Sequence, residues 1–88
     1  MTGSSAPSRR WRVLVADDSA VARRLLVEAL ASEPALEVVG CAAHGQEALE
    51  LFDRLAPDAV TLDVEMPMLD GVAVLREIRG RSPCVPVV

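Results

Sequence analysis

The chain has 88 residues, of which 51% are apolar and only 2% aromatic, and its formal net charge is -4. A chain of this length forms one domain at most and buries roughly 60–65% of its unfolded surface, which leaves a small margin of stability. The negative charge and the scarcity of aromatic side chains argue against nucleic acid as a partner of this segment.

Neither a membrane anchor nor a disulfide framework is indicated. No apolar run reaches the length of a membrane span, and no apolar segment follows the N-terminus as in a signal peptide. Cys41 and Cys84 lack CxxC spacing and a nearby His, so we interpret them as small buried hydrophobic residues in a reducing compartment, rather than as a disulfide or metal site. These features predict a cytoplasmic protein with no membrane contact.

The N-terminal ten residues are rich in Ser, Gly and Pro, which predicts a disordered leader over 1–10 and a folded part over 11–88. Trp11 is expected to cover the lower end of a sheet, while the arginines beside it stay in solvent. A basic docking site is the alternative for this cluster.

A continuous apolar run over 13–16 predicts a central parallel strand that is covered on both faces. It ends in Asp17 and Asp18, two adjacent carboxylates whose mutual repulsion usually requires a cation. A solvated loop in which Asp18 or Ser19 caps the next helix is the alternative, and both can hold at once.

A first helix is predicted from 20 to 32 and is ended by Pro34. Arg23, Arg24 and Glu28 lie largely on its polar side. The apolar residues form two rows on one face, which we expect to be turned inward: Val21, Leu25 and Ala29, and Ala22, Leu26 and Leu30.

The remaining elements alternate in the same way, with connections of a few residues. Strands are predicted over 37–42 and 59–63 and from 85 onward, and helices over 46–55, after a turn at Gly45, and over 72–79, ended by Gly80. This order predicts an α/β fold, a parallel sheet with right-handed crossovers. The residues expected to be buried are Ala48, Leu51, Phe52 and Leu55 in the second helix, and Val72, Leu75 and Ile78 in the third.

The segment after the third strand carries the strongest signal. The strand ends at Asp63, and Pro67 and Gly71 then force a structured loop. Open α/β sheets bind ligands at the carboxyl ends of their strands, although an Asp that caps a turn is the alternative. If Asp63 meets Asp17 and Asp18 at one edge, a hard cation such as Mg²⁺ resolves their repulsion, and Asp63 can act as a nucleophile toward a phosphoryl group.

Two motifs together resemble the receiver domains of two-component response regulators. They are Val-Leu-Val-Ala-Asp-Asp-Ser-Ala over 13–20, and Asp63 followed by Met-Pro and Asp-Gly over 66–71. The subfamily that they resemble most is the receiver domain of chemotaxis protein-glutamate methylesterases. The resemblance implies a flavodoxin-like fold, with Asp63 as the phosphoacceptor, Asp17, Asp18 and Asp63 as Mg²⁺ ligands, and the backbone carbonyl of Glu65 as a further ligand.

The same resemblance implies a sensor histidine kinase as the phosphoryl donor, and an output domain or chemotaxis proteins as further partners. A methylesterase output domain, if any, lies outside this chain. Receiver domains have five strands and five helices, whereas this sequence ends in the predicted fourth strand and contains no Lys. We therefore expect a C-terminally truncated receiver, β1-α1-β2-α2-β3-α3-β4, whose uncovered sheet face could mediate a homodimer. The uncovered positions would be Val13, Val15, Val60 and Leu62.

Three alternatives accompany this reading. A truncated receiver-like fragment could serve only as an interaction or dimerisation module, without phosphotransfer. A hydrolase of the haloacid dehalogenase type would need a downstream Lys and a second acidic motif, and a calcium loop would need ligands where Pro67 and Met68 stand. His44 is expected to cap a helix or to lie in solvent rather than to donate phosphate.

Overall fold

The computed structural model describes residues 10–63, 71–82 and 86–87. Among these residues, no helix is both long and apolar enough to cross a lipid bilayer. Residues 1–9 of the predicted leader lie outside the described residues. The elements are, in chain order, β1 (Trp11–Ala16), α1 (Ala20–Ala31), β2 (Leu36–Ala42), α2 (Gly45–Leu55), β3 (Ala59–Leu62) and α3 (Gly71–Arg81).

The strands form a parallel sheet in the order β2-β1-β3, with β1 in the centre. This order confirms that the first and third strands are neighbours, as a flavodoxin-like fold requires. Val87 makes a single parallel bridge to Val60, and the Val60 N–H donates to the carbonyl oxygen of Pro86 at 3.0 Å. The predicted fourth strand is therefore present in part at this position, while 83–85 lie outside the described residues.

The main core lies between the sheet and the helices α2 and α3. Ala48 and Phe52 are buried as predicted, whereas Leu51 and Leu55 are only half-buried and Leu49 is buried instead. The helix α2 starts at Gly45 rather than after it. The buried core residues are Leu14, Ala16, Ala42, Ala48, Leu49, Phe52, Val60, Val74 and Ile78.

The helix α1 packs against the other side of the sheet, and the prediction for it was wrong in part. The row of Ala22, Leu26 and Leu30 is half-buried, whereas Val21 and Leu25 are 70% and 62% exposed. Only one of the two rows of apolar side chains can lie against the sheet at a time. The other row, which contains Val21 and Leu25, is not covered by any of the residues that the structure describes.

The expectation of an uncovered sheet face was also wrong for three of its four positions. Val13, Val15 and Val60 are at most 4% exposed, and only Leu62 is half-buried. The helix α1 packs on β1 and β2, and Val60 belongs to the core cluster with residues of α2 and α3. In the described part of the chain, the two most exposed large apolar residues, Val21 and Leu25, lie on α1 rather than in the middle of the sheet.

The helix α3 differs from its prediction in length and in orientation. It runs to Arg81, so Gly80 lies inside the helix and does not end it. Arg81 pairs with Glu77 one turn earlier and with Asp53 of α2, and these contacts favour the last helical turn. Val72 is 48% exposed and Leu75 is half-buried, and the buried residues are Gly71, Val74 and Ile78, which recur at helical spacing.

The N-terminal end of β1 was also predicted incorrectly. Trp11 is 54% exposed and does not cover the sheet. Its neighbouring arginines are engaged and not merely solvated, because the Arg10 guanidinium donates to the carbonyl oxygens of Pro34 and Leu36, and that of Arg12 donates to Ala56. Both arginines therefore donate to main-chain carbonyl oxygens at the ends of neighbouring elements.

Cys41 is exposed, contrary to the prediction that it is buried. It lies on β2, an edge strand, on the opposite face from its neighbour Gly40, which contacts Leu55 of α2. The face that carries Cys41 is covered only partly by α1. The predicted burial of Cys84 lies outside the described residues.

Candidate functional site

The carboxyl ends of the three strands are joined by backbone hydrogen bonds. The Asp63 N–H donates to the carbonyl oxygen of Ala16 at 3.0 Å, and the Asp17 N–H donates to that of Ala42 at 3.0 Å. These bonds continue the sheet by one residue at each strand end. As a result, Asp17 and Asp63 stand side by side at the carboxyl edge of the sheet.

Three carboxylates meet at this edge. Asp17, Asp18 and Asp63 each offer an oxygen, and these oxygens all lie within 4.8 Å of one another. Asp17 and Asp63 are half-buried, whereas Asp18 is exposed. Oxygen donors at this spacing, open to water on one side, fit a hard divalent cation that keeps part of its hydration shell, as Mg²⁺ does. Glu65, the expected carbonyl ligand, lies outside the described residues.

The loop between β1 and α1 is fixed by short local bonds. Asp17 Oδ1 accepts from the Ser19 N–H at 2.9 Å, and Ser19 Oγ accepts from the Ala22 N–H at 3.2 Å. Ser19 has extended dihedral angles (φ -85°, ψ 117°), as an N-cap residue does. The helix cap and the acidic cluster therefore coexist, as the sequence allows, and Ser19 rather than Asp18 is the cap.

Arg23 of α1 also contacts this loop, and that contact was not predicted from the sequence. It was assigned to the polar side of α1, but it is half-buried and its Nη1 donates to the carbonyl oxygen of Asp17 at 2.8 Å. Side chains on a helix lean toward its N-terminus, so Arg23, the fourth residue of α1, can reach the preceding loop. That lean is the signal in the sequence that could have identified this contact.

A groove of about 440 Å³ opens beside the acidic residues, between α1 and β3. Its lining includes the carboxyl-bearing residues Asp17 and Asp63 and the apolar residues Leu26 and Leu62. Thr61 also lines the groove, and its Oγ1 is buried without a hydrogen-bond partner among the described residues. The groove thus combines acidic and apolar side chains.

His44 does not join the acidic cluster. Its Nδ1 accepts from the Glu47 N–H at 3.3 Å, while Glu47 Oε1 accepts from the Ala43 N–H at 2.8 Å. The pair resembles a capping box in which an imidazole takes the place of the usual hydroxyl group, except that Glu47 accepts from Ala43, the residue before the cap, and not from the cap residue itself. The prediction that His44 caps a helix is confirmed.

Comparison with known proteins gives a consistent answer. A family model for the response regulator receiver domain matches residues 13–88. The protein-glutamate methylesterase/protein-glutamine glutaminase of Symbiobacterium thermophilum is 54% identical over 85 residues, which are 97% of this chain and 23% of that protein. A protein of the same description from Anaeromyxobacter dehalogenans is 46% identical over 98% of this chain and 24% of its own length. The chain thus spans about a quarter of the length of these curated relatives.

Solved structures agree with the sequence matches. The response regulator domain of Thermotoga maritima CheB superposes with a TM-score of 0.82 and 45% identity, over 85% of this chain and 56% of that one. A CheX–CheY–BeF3–Mg²⁺ complex from Borrelia burgdorferi gives a TM-score of 0.85 and 31% identity, over 90% and 60% of the two chains. These findings confirm the likeness to chemotaxis methylesterases, and the chain belongs to the family of response regulator receiver domains.

Proposed function

We propose that this chain accepts a phosphoryl group on Asp63 from a sensor histidine kinase in the cytoplasm, with Mg²⁺ held by Asp17, Asp18 and Asp63. The observation that carries the proposal is the convergence of these three carboxylates, with oxygens within 4.8 Å of one another. A fold alone does not define a function, but a site of this chemistry within a receiver domain does support one. The Borrelia burgdorferi complex contains Mg²⁺, which supports the same cation here.

The transfer is a substitution at phosphorus. A carboxylate oxygen of Asp63 attacks the phosphorus atom of a phosphohistidine, the P–N bond breaks, and the electron pair of that bond stays with the imidazole. The product is an acyl phosphate on Asp63 and a free histidine on the donor. Asp17 and Asp18 would hold Mg²⁺ beside Asp63, with the Glu65 carbonyl as a further proposed ligand. The bound ion would supply positive charge that offsets the negative charge on the transferring oxygens.

Titration of the chain with Mg²⁺ in a calorimeter tests the metal site. We expect binding by the wild type and a loss of at least about ten-fold in affinity for Asp18→Asn, because one anionic ligand is removed. Asp53→Asn is the matched control, since it removes the same charge from α2, away from the cluster. Equal affinity of Asp18→Asn and wild type would contradict the assignment.

The phosphoacceptor is tested with a small phosphoryl donor and intact mass measurement in the presence of Mg²⁺. We expect one phosphoryl group on the wild type that is released by hydroxylamine, as an acyl phosphate is, and none on Asp63→Asn. A label that survives hydroxylamine, or one retained by Asp63→Asn, would show that another residue is modified.

A second candidate function is association without phosphotransfer. The exposed apolar row on α1, Val21 and Leu25, favours it, because monomeric proteins seldom expose large apolar side chains in a row. The occupant that we propose for this row is a second copy of the chain. Chemotaxis proteins and an output domain are further proposed partners, and a methylesterase activity would belong to a longer protein of which this chain resembles one part.

A further inference from the structure

We propose that Arg23 is a positioning residue for the acidic site, which holds the Asp17–Asp18 loop in the conformation that binds Mg²⁺. This inference rests on the proposed function and adds to it a residue outside the set of ligands. The contact that carries it is the hydrogen bond from Arg23 Nη1 to the carbonyl oxygen of Asp17, 2.8 Å long and partly buried.

The position of this bond explains its effect. Asp17 is held by its N–H, which donates to Ala42, and by its carboxylate, which accepts from Ser19 at 2.9 Å. The bond from Arg23 adds a third constraint, because it holds the carbonyl group of the peptide bond between Asp17 and Asp18. Asp18 itself is exposed, so the direction of its side chain depends on the peptide group that Arg23 holds.

Arg23 also carries a positive charge near three carboxylates. This charge would oppose Mg²⁺ binding, whereas the positioning role described above would support it. As a counter-ion, Arg23 would compete with Mg²⁺, and its removal would strengthen metal binding. As a positioning residue, it would support the ligand geometry, and its removal would weaken metal binding. The guanidinium donates to a neutral backbone carbonyl and not to a carboxylate in the bonds that the structure describes, which favours positioning.

The neighbouring arginine provides a matched control. Arg24 stands one position further along α1 and pairs with Glu28 at 3.1 Å on the exposed side of the helix. Arg23→Met and Arg24→Met therefore remove the same charge from the same helix turn, and only the first removes the bond to the loop. Arg23→Lys retains the charge and a donor, but not the planar guanidinium.

The test is Mg²⁺ affinity by calorimetry, measured well below the unfolding temperature of each variant. Residues that orient metal ligands typically contribute about 10–100-fold to affinity. We expect about ten-fold weaker binding for Arg23→Met, partial recovery for Arg23→Lys, and a change below about two-fold for Arg24→Met. Affinity of Arg23→Met equal to that of Arg24→Met, or higher than wild type, would overturn the proposal.

A second measurement, without metal, separates this proposal from the proposed function. Amide hydrogen exchange of Ser19, whose N–H bonds to Asp17 Oδ1, reports the order of the loop directly. We expect faster exchange in Arg23→Met than in Arg24→Met. If the wild type fails to bind Mg²⁺, the proposed function is wrong, whereas equal exchange rates in the two variants would overturn the role of Arg23.

Discussion

Gly40 of β2 lies so close to Leu55 of α2 that a Cβ atom added at Gly40 would stand 2.8 Å from Leu55 Cδ1. The same Cβ atom would meet Leu14 Cδ1 at 3.4 Å. The absence of a side chain on the sheet thus allows the helix to approach it. Gly80 of α3 is the opposite case, because nothing lies within 4 Å of the atom that would be added there.

The two glycines should therefore respond to substitution with opposite signs. Gly40→Val is expected to lower the free energy of unfolding by about 2 kcal/mol, since overpacking of a core forces neighbouring side chains to move. Gly40→Ala should be milder, because Leu55 Cδ1 is the free end of a flexible side chain. Gly80→Ala should raise the free energy of unfolding by about 0.5–1 kcal/mol, because the helix interior disfavours glycine.

Denaturant unfolding measures both effects. In a Leu55→Ala background, Gly40→Val should cost less than it does in the wild type, since the two residues share one space. Additive effects of Gly40→Val and Leu55→Ala, or a destabilised Gly80→Ala, would contradict the packing described.

The acidic edge could be predicted from the sequence because it follows from strand ends alone. Apolar runs that stop at Asp17 and Asp63 place both residues at the same edge of a parallel sheet, whatever the details of packing. The side that a helix buries was harder to predict. Both rows of α1 are apolar, and the sequence does not say that only the row of Ala22 and Leu26 meets the sheet.

Long-range contacts of charged residues were the other source of error. The Arg23 guanidinium reaches back to a loop, so the polar side that periodicity assigned to it did not describe its contact. Arg81 lies beyond the predicted end of the third helix, and its guanidinium reaches across to α2. Gly80 was taken as a helix end because glycine usually marks one. The contacts of Arg81 extend the helix past it, and such contacts depend on the tertiary structure.

Arg81 links α3 to α2 and should stabilise this pair of helices. Its Nε lies 2.7 Å from Asp53 Oδ1 and its Nη1 lies 2.7 Å from Glu77 Oε1. The hydrogen bond to Glu77, and to a smaller extent the one to Asp53, raises the pKa of Arg81 above its ordinary value. Arg81 is therefore charged throughout the accessible pH range. Arg81→Met should lower the unfolding midpoint slightly and reduce its dependence on salt, because exposed ion pairs are weak and screened.

Arg76→Met, an exposed arginine of the same helix, is the control for that measurement. It removes the same charge from α3. If both variants shift the midpoint and its salt dependence equally, the contacts of Arg81 with the two acids contribute nothing specific.

The exposed row on α1 predicts concentration-dependent association of the 88-residue chain. Val21 and Leu25 are apolar and exposed, and Arg24 and Glu28 flank Leu25 with opposite charges. Two antiparallel copies of α1 would bring unlike charges together and bury the apolar row twice. Light scattering should show a mass that rises with concentration for wild type and for Ala31→Glu, and a lower mass for Leu25→Glu. A constant monomer mass in the wild type would contradict this surface as an interface.

His44 holds the first turn of α2 through its side chain. Its Nδ1 accepts from the Glu47 N–H at 3.3 Å, and Glu47 Oε1 accepts from the Ala43 N–H at 2.8 Å. The first N–H groups of a helix have no partner within the helix, so a side chain that accepts from one of them stabilises the first turn.

His44→Ala should lower the free energy of unfolding by about 1 kcal/mol, the usual contribution of an N-cap. His44→Asn should recover most of this loss, since an amide oxygen is among the preferred helix caps. Denaturant unfolding of the three proteins at one fixed pH measures both differences. Equal stability of His44→Ala and wild type, or of His44→Ala and His44→Asn, would show that the imidazole does not act as the cap.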